Sequence, residues 1–364
     1  MMSFAPPSSM NELIAAATAA GASDLHIKAG RPPMVRIEGE LSPIGDAAFT
    51  DERTEALLWS ILPDRLHLEF KEHNEADFAF GTDEGERIRV NAFRQQGRVS
   101  IAVRILRRAT MDFESLGLPS VIGNVIEERN GLILVTGPTG TGKSTTLAAM
   151  IDAINTRRAV NIITVEDPVE FLHTDKKAMI HQREVGMDTS GFAEAMRRVL
   201  RQDPDVILIG EMRDMETISA ALKAAETGHL VLSTLHTIDA AETINRILDV
   251  FPGDHQRQVR LMLAGALRAI ISQRLIPTVS GKRLPAVEVL INTDRVKERI
   301  ADPALTHEIP DVIAEGGYYG METFDQSILR MISSGAVSLD KGMRYASNPA
   351  DLKIRAQQLG IIPT

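Results

Sequence analysis

The sequence predicts an α/β protein: a small N-terminal α+β domain over residues 1–110, then a P-loop α/β domain over 111–364 whose end, from about 293, is helical. Three observations carry this reading. From about residue 113, short apolar runs alternate with helical stretches, the pattern of a parallel sheet with crossover helices. Before residue 110 the order reads α-β-β-α-α-β-β-β, which suits a curved antiparallel sheet beside helices. At the heart of the second region, residues 131–146 join an apolar run, Leu132 to Val135, to a glycine-rich octet and then a helix. With 364 residues the chain is also too long for one ordinary core.

Residues 1–9, with Pro6, Pro7, Ser8 and Ser9, read as a loose leader. Residues 10–20 are alanine-rich and helical, closed by Gly21. Asp24-Leu25-His26-Ile27-Lys28 alternates apolar with polar residues, as a half-buried strand does. Gly30-Arg31-Pro32-Pro33 forces a turn, and 34–37 is a second strand. Helices are expected at 51–62 and 64–73, the latter opened by an Asp64 cap after Pro63. Strands follow at 76–80, 87–93 and 99–106, and the boundary falls in the stretch 107–112.

In the second domain the strands are 132–135, 161–165, 206–209 and 230–234, with 270–275 and 287–291 behind them. Helices lie between them at about 143–156, 191–202, 214–226, 239–250 and 255–269. Beyond 293 only helices are read, near 293–301, 321–333 and 348–358, and the last residues, 361–364, suggest no function. Neither an internal repeat nor a low-complexity segment is visible.

Composition narrows the classes. With 44% hydrophobic and 24% charged residues the chain is of soluble globular type. No apolar run reaches a membrane span and no signal core stands at the start, so a cytoplasmic location is expected. Zero cysteines removes disulfides, thiolate zinc sites and cysteine nucleophiles together. A net charge of −9 and 4% aromatics argue against a nucleic-acid motor, so no nucleic-acid partner is expected.

The octet Gly137-Pro138-Thr139-Gly140-Thr141-Gly142-Lys143-Ser144, followed by Thr145, fits the P-loop pattern G-x-x-x-x-G-K-[ST]. By average residue usage it arises by chance in such a chain with probability ~0.01. Its glycines let backbone N–H groups curl around a polyphosphate at a helix N-terminus. Lys143 supplies a charge for the β- and γ-phosphates, and the Ser144 hydroxyl suits Mg²⁺. A bound nucleoside triphosphate follows.

Four more stretches could complete a site at the carboxyl ends of the strands. Glu166, Asp167 and Glu170 place three carboxylates just past a buried strand; they are either a solvated acidic turn or a Mg²⁺- and water-handling cluster. The run Asp205-Val206-Ile207-Leu208-Ile209-Gly210-Glu211 fits a Walker B strand, but Gly210 stands where Asp is common, leaving the acidic work to Glu211. His229 and His236 bracket the next strand; either can be structural, and His236 is the better candidate for sensing a γ-phosphate. Arg87, Arg89, Arg94, Arg98 and Arg104 crowd two strands of the first domain, as a solvated basic face or as a source of a transition-state arginine.

Together these residues resemble the hexameric secretion-type ATPases that drive type IV pili and type II secretion. Residues 137–144 are similar to that family's Walker A, 165–171 to its Asp box, 207–214 to its Walker B and 227–237 to its His box. Residues 21–26, 89–93, 182–185, 210–214 and 320–326 look like signatures of its retraction branch, the PilT-like ATPases, and the resemblance spans about 10–358. It implies a PAS-like first domain and a RecA-like core. It implies ATP and Mg²⁺, with Lys143 and Ser144 on phosphates and metal, Glu170 and Glu211 as catalytic acids that reach the metal through water, and Glu211 favoured for activating water. Further implications are a γ-phosphate sensor in His236 with His229, and arginine fingers in Arg89 and Arg104. Partners would be five further copies in a homo-hexamer, a PilC-like inner-membrane platform protein at the pilus base, the rest of the pilus machinery, and a paralogous retraction ATPase.

One departure stands out. Where the retraction branch carries Ala-Ile-Arg-Asn-Leu-Ile, this chain reads Asp294-Arg295-Val296-Lys297-Glu298-Arg299-Ile300, keeping only an apolar spacing and charge. The alternatives are a PilU-like accessory retraction ATPase and, less compatibly with a chain free of cysteine, an extension or type II secretion ATPase. A nucleic-acid translocase is a distant fourth reading.

Overall fold

The computed structural model describes residues 9–37, 39–82, 87–108 and 112–361, with no side chains described at 107–108. Most of the expected leader, the middle of the expected boundary stretch and the last three residues lie outside the described residues. The chain divides into two compact units, Met1–Arg108 and Ala109–Thr364.

In the first unit, α1 (Met10–Ala19) starts at Ser9, whose hydroxyl accepts the Glu12 N–H at 3.2 Å. It buries Met10, Leu13, Ile14 and Ala17, the spacing of one helix face. Then come β1 (Asp24–Lys28), β2 (Met34–Ile37), β3 (Glu40–Pro43), α2 (Asp51–Ile61), α3 (His67–His73), β4 (Glu75–Gly81), β5 (Arg87–Gln95), β6 (Arg98–Ile105) and the two-residue β7 (Arg107–Arg108). Strands β1–β6 form one antiparallel sheet in the order β3-β2-β1-β6-β5-β4. Its core face, including Leu25, Val35, Val90 and Val103, packs in one cluster with Leu58 of α2 and Phe70 of α3.

Two details of this unit differ from expectation. Strand β3 carries no alternation because all four of its residues are exposed, and it is held by backbone pairing to β2. Asp64 does not cap a helix: it begins a single 3₁₀ turn, Asp64–Leu66, before α3.

The second unit opens with α4 (Val121–Val125) and β8 (Gly131–Thr136), all of whose residues are buried. There follow α5 (Lys143–Arg157), β9 (Asn161–Glu166), β10 (Phe171–Leu172), β11 (Met179–Glu184), α6 (Phe192–Val199), β12 (Val206–Ile209), α7 (Met215–Glu226) and β13 (Leu230–Leu235). Next are α8 (Ala240–Asp249), α9 (Gly253–Ala266), β14 (Leu267–Pro277), β15 (Arg283–Ile291) and the helices α10 (Asp294–Ala301), α11 (Ile309–Glu315), α12 (Phe324–Ser333), α13 (Leu339–Tyr345) and α14 (Pro349–Gln358). The seven-stranded sheet has the order β11-β9-β12-β13-β8-β14-β15. Side chains alternate across it: Ile133 and Val135 pack with α5, while Leu132 and Leu134 join the core under α7–α9.

The sheet is parallel except at one edge, where β15 turns back antiparallel on β14. Helix α9 stops at Ala266, and 267–269 are strand: the chain passes straight from helix to extended backbone at Leu267, just after Gly265 in the last helical turn. Edge strand β11 was not expected; its sequence Met-Ile-His-Gln-Arg-Glu is too polar to advertise a strand. In the C-terminal helices, α12 begins at Phe324, behind a capping box formed by Thr323 and Gln326, and packs on Ile276 and Ala286 of the β14–β15 hairpin.

Candidate active site

The second unit gathers its polar groups at the carboxyl edge of β8, β9, β12 and β13, where ligands bind in sheets of this kind. Strand β8 leads directly into the loop. At Gly137, with φ +143°, a Cβ would lie 2.6 Å from the Gln273 carbonyl oxygen and 2.7 Å from Thr141 Oγ1, so no side chain fits there. Gly142 precedes α5 with φ +90° and brings no capping side chain, which leaves the first-turn N–H groups for a ligand. Lys143 Nζ donates to the carbonyls of Gly137 (2.7 Å) and Pro138 (3.1 Å), and Thr141 Oγ1 donates to the latter at 2.9 Å. Burial pulls the Lys143 ammonium below its ordinary pKa, while the charges of Glu211 and Glu170 oppose that pull.

Beyond β9, the Glu166 carboxylate accepts from Thr164 Oγ1 at 2.6 Å and Gln182 Nε2 at 3.2 Å. Burial nevertheless pushes its carboxyl above the usual range, with Glu170 adding like-charge repulsion. Beyond β12, Glu211 Oε1 lies 2.7 Å from the Arg213 guanidinium, and its Oε2 lies 3.4 Å from His236 Nε2. Gly210 is glycine for a packing reason: a Cβ there would sit 3.3 Å from both Glu166 Cα and the Val165 carbonyl oxygen. Thr234 Oγ1 of β13 donates to the Gly210 carbonyl at 2.6 Å, tying the two strand ends together.

These groups line one cleft of about 570 Å³, within the ordinary range for a ligand site. Thr139, Gly140, Gly142, Lys143, Ser144, Thr145, Glu170, Glu211 and His236 all face it. Gly137, Pro138 and Thr141 shape the loop without lining the cleft. Among the described residues no group of three or more His, Cys, Asp or Glu could hold a metal by itself. The donors present, a Ser144 hydroxyl with acids at a distance, suit a hard cation completed by phosphate oxygens.

His229 lies apart from these groups. It sits just before β13, whose Leu230 pairs with Gly131 at the amino edge of the sheet, the length of the strand away from His236. Its Nδ1 contacts the Ala224 carbonyl at 3.0 Å and Thr227 Oγ1 at 3.3 Å. Within one chain, then, His229 does not share the cleft with His236.

The first unit separates its arginines. Arg94 pairs with Glu55 at 2.8 Å and Arg98 with Asp51 at 3.2 Å, which gives both a structural role. Arg89 and Arg104 are direct cross-strand neighbours on β5 and β6, and Arg104 holds Asp24 at 3.0 Å with its side chain still 61% exposed.

Three cleft residues escaped the sequence. Arg213 stood in view inside 210–214, yet only the structure shows it against Glu211. Arg283 reaches the cleft from the β14–β15 hairpin. His173 lines it with its Nδ1 unpartnered, and burial drives its pKa down to about 4, so the ring is neutral.

Comparison with known proteins follows the same lines. The family model described as "Type II/IV secretion system protein" matches residues 6–299. The type IV pilus retraction ATPase PilT of Pseudomonas aeruginosa is 43% identical over 340 residues, covering 93% of this chain and 98% of that protein. The type IV pilus ATPase PilU of the same organism is 37% identical over 92% of this chain and 87% of its own length. A crystal structure of the pilus retraction motor PilT with bound ADP superposes with TM-score 0.86 at 41% identity, covering 95% of this chain and 99% of that one.

Proposed function

We propose, from the premise that this chain belongs to the Type II/IV secretion system protein family, that it is the motor that retracts a type IV pilus. It is an ATPase of the PilT-like kind. The observation that carries the retraction reading is the match to a retraction ATPase along nearly the whole of both chains, 93% and 98%.

Within the cleft, the loop N–H groups and Lys143 would hold the β- and γ-phosphates, with Lys143 leaving its carbonyl partners to do so. Mg²⁺ would sit on Ser144, reached by Glu170 and Glu211 through water, and would neutralise charge building on the phosphate oxygens. Glu211 orients and deprotonates the water that attacks the γ-phosphorus as the bond to ADP breaks. His236, adjoining Glu211, reports whether the γ-phosphate is present. Arg89 and Arg104 would be supplied to the site by another copy in a homo-hexamer, stabilising the transition state. No described helix is long and apolar enough to cross a membrane, so attachment would be peripheral, at a PilC-like platform protein on the cytoplasmic side of the inner membrane.

A second reading, an accessory retraction ATPase, is supported by the 37% identity to PilU. The divergent segment is compatible with either: helix α10 buries Val296 and Ile300, and its charged residues pair locally, as in Arg295–Glu315 at 2.6 Å. Deleting the gene, counting surface pili by electron microscopy and assaying motility decides among these. Abundant pili with lost motility support retraction; bare cells indicate extension, and normal pili with normal motility an accessory role.

A further inference from the structure

The loop from β13 to α8 carries His236 and ends at Ala240, the first residue of α8. Loops that follow a strand are usually held by their own side chains, and this one is in part. Asp239 caps α8 by accepting the Glu242 N–H at 2.8 Å, and Thr237 Oγ1 meets Thr243 Oγ1 at 2.6 Å. The Ile238 N–H also donates to Glu242 Oε2 at 2.9 Å. A further anchor comes from outside the loop and its helix. Glu288, in the middle of β15 and only 8% exposed, accepts the Ala240 N–H through Oε1 at 2.9 Å.

Burying a carboxylate is costly unless its charge is compensated. The charge has two favourable neighbours. One is the positive end of the α8 dipole, at which the carboxylate is aimed. The other is Arg274 of β14, one diagonal step away on the same face of the hairpin. Arg274 in turn donates to the Tyr345 carbonyl at 3.0 Å and Ser347 Oγ at 3.2 Å, with its guanidinium 3.8 Å from the centre of the Phe324 ring. Asp325 of α12 receives the Ser347 and Asn348 N–H groups at 2.7 and 2.9 Å. The sensor loop and the C-terminal helices thus meet at one electrostatic cluster, with Glu288 buried and its charged neighbours half-buried.

We propose that Glu288 is a positioning residue for ATP hydrolysis: its carboxylate fixes the start of α8, and so holds the loop that places His236 beside Glu211. The inference rests on the reading of His236 as the γ-phosphate sensor. The charged groups facing Glu288 are Asp239 from the loop, Arg274 from β14 and Asp325 from α12. Burial first, with Asp239 and Asp325 adding repulsion, pushes its carboxyl up to about 7 against the pull of Arg274 and of the Ala240 N–H. Below that pH the carboxylate takes up a proton and its charge at the helix end is lost.

The test uses the full-length protein and steady-state hydrolysis of Mg-ATP. Glu288→Gln keeps an acceptor of the same shape and removes the charge, so folding is retained. The wild-type kcat should fall on the acid side of an inflection near pH 7, and Glu288→Gln should lack that inflection. At pH 8 the variant should lose about fivefold in kcat with KM for ATP within twofold. Combined with His236→Ala, the loss should not exceed that of His236→Ala alone, because both act through one loop. Wild-type kcat at every pH in Glu288→Gln, or losses that multiply when His236→Ala is itself slow, overturns the proposal. Backbone amide exchange at 236–240 separates the two readings. If His236→Ala hydrolyses at the wild-type rate while Glu288→Gln is slow with faster exchange there, the sensor role falls and the positioning role stands. Unchanged exchange in Glu288→Gln counts against the positioning role itself.

Discussion

Glu211 Oε2 lies 3.4 Å from His236 Nε2, across the carboxyl ends of the adjacent parallel strands β12 and β13. The relationship depends on strand register. Ile209 pairs with Ser233, whose Oγ donates to the Ile209 carbonyl at 2.8 Å, so the two residues beyond each strand end meet above the sheet. A carboxylate that can take a proton and an imidazole that can feel a phosphate are thereby set on one wall of the P-loop cleft.

If Glu211 activates the water, Glu211→Gln should still bind ATP but hydrolyse it roughly 100-fold or more slowly, since an amide cannot act as a base. Equilibrium binding of a fluorescent ATP analogue and a phosphate-release assay check both halves. Turnover at the wild-type rate returns Glu211 to its ion pair with Arg213.

Restoring an aspartate at the position where Walker B strands often carry one should harm this protein. In Gly210→Asp the new Cβ meets Glu166 Cα and the Val165 carbonyl at 3.3 Å, and its charge arrives beside a carboxyl already pushed above its usual range. We expect a loss of about 1–3 kcal/mol in stability and at least tenfold in kcat. Thermal unfolding and ATPase assays report the two effects separately.

Arg104 holds Asp24 within its own sheet yet stays largely exposed. If it serves a neighbouring subunit, Arg104→Ala and Glu211→Ala chains should each be inactive alone, and mixing them should restore a fraction of sites. No gain on mixing, in a hexamer shown to exchange subunits, points to a site built within one chain.

Acid stability should reveal Glu288 and His173 as opposing groups. Glu288 has a raised folded-state pKa, about 7 against 4.5 unfolded, so its contribution is favourable below the unfolded value and is lost as pH rises toward 7. His173 has a lowered value, about 4 against 6.5, so its neutral burial costs stability as pH falls through that interval. Between pH 4.5 and 6.5 the two trends oppose each other. Glu288→Gln should therefore gain stability over wild type at pH 8, by up to roughly 3 kcal/mol, and lose that advantage by pH 5. Denaturation midpoints measured across that range read the crossover.

The second unit was legible in the sequence wherever burial was complete. Strands β8, β12 and β13 are buried throughout and mostly apolar, and a run such as Val206 to Ile209 has little choice but to be covered on both faces. The cleft was legible through local spacing, from Gly137 to Ser144, and through single acids and a histidine placed just past such runs. What was hidden lacked an apolar alternation or a strong stop signal. Strand β3 is fully exposed, β11 is a polar edge, and at the α9–β14 junction a lone Gly265 inside an apolar stretch is a weak stop signal. His229, the weaker candidate beside His236, shows a further limit: both flank β13, and the parallel register against β8 shows that they lie at opposite edges. Arg283 comes to the cleft, and Glu288 to the start of α8, from elements far along the chain, which no local pattern announces; His173 stands just past Glu170 without a motif to mark it.

The most direct test of the central claim is to watch single pili on living cells that lack the chromosomal gene and carry this protein on a plasmid, using surface-labelled pilin. With the wild-type protein, extended pili should shorten. With Lys143→Ala, whose phosphate partner is gone, or with Glu211→Gln, pili should extend normally and then stay extended. Pili that shorten at the wild-type rate with either variant would contradict the account, because retraction would then be driven by something other than hydrolysis in this cleft.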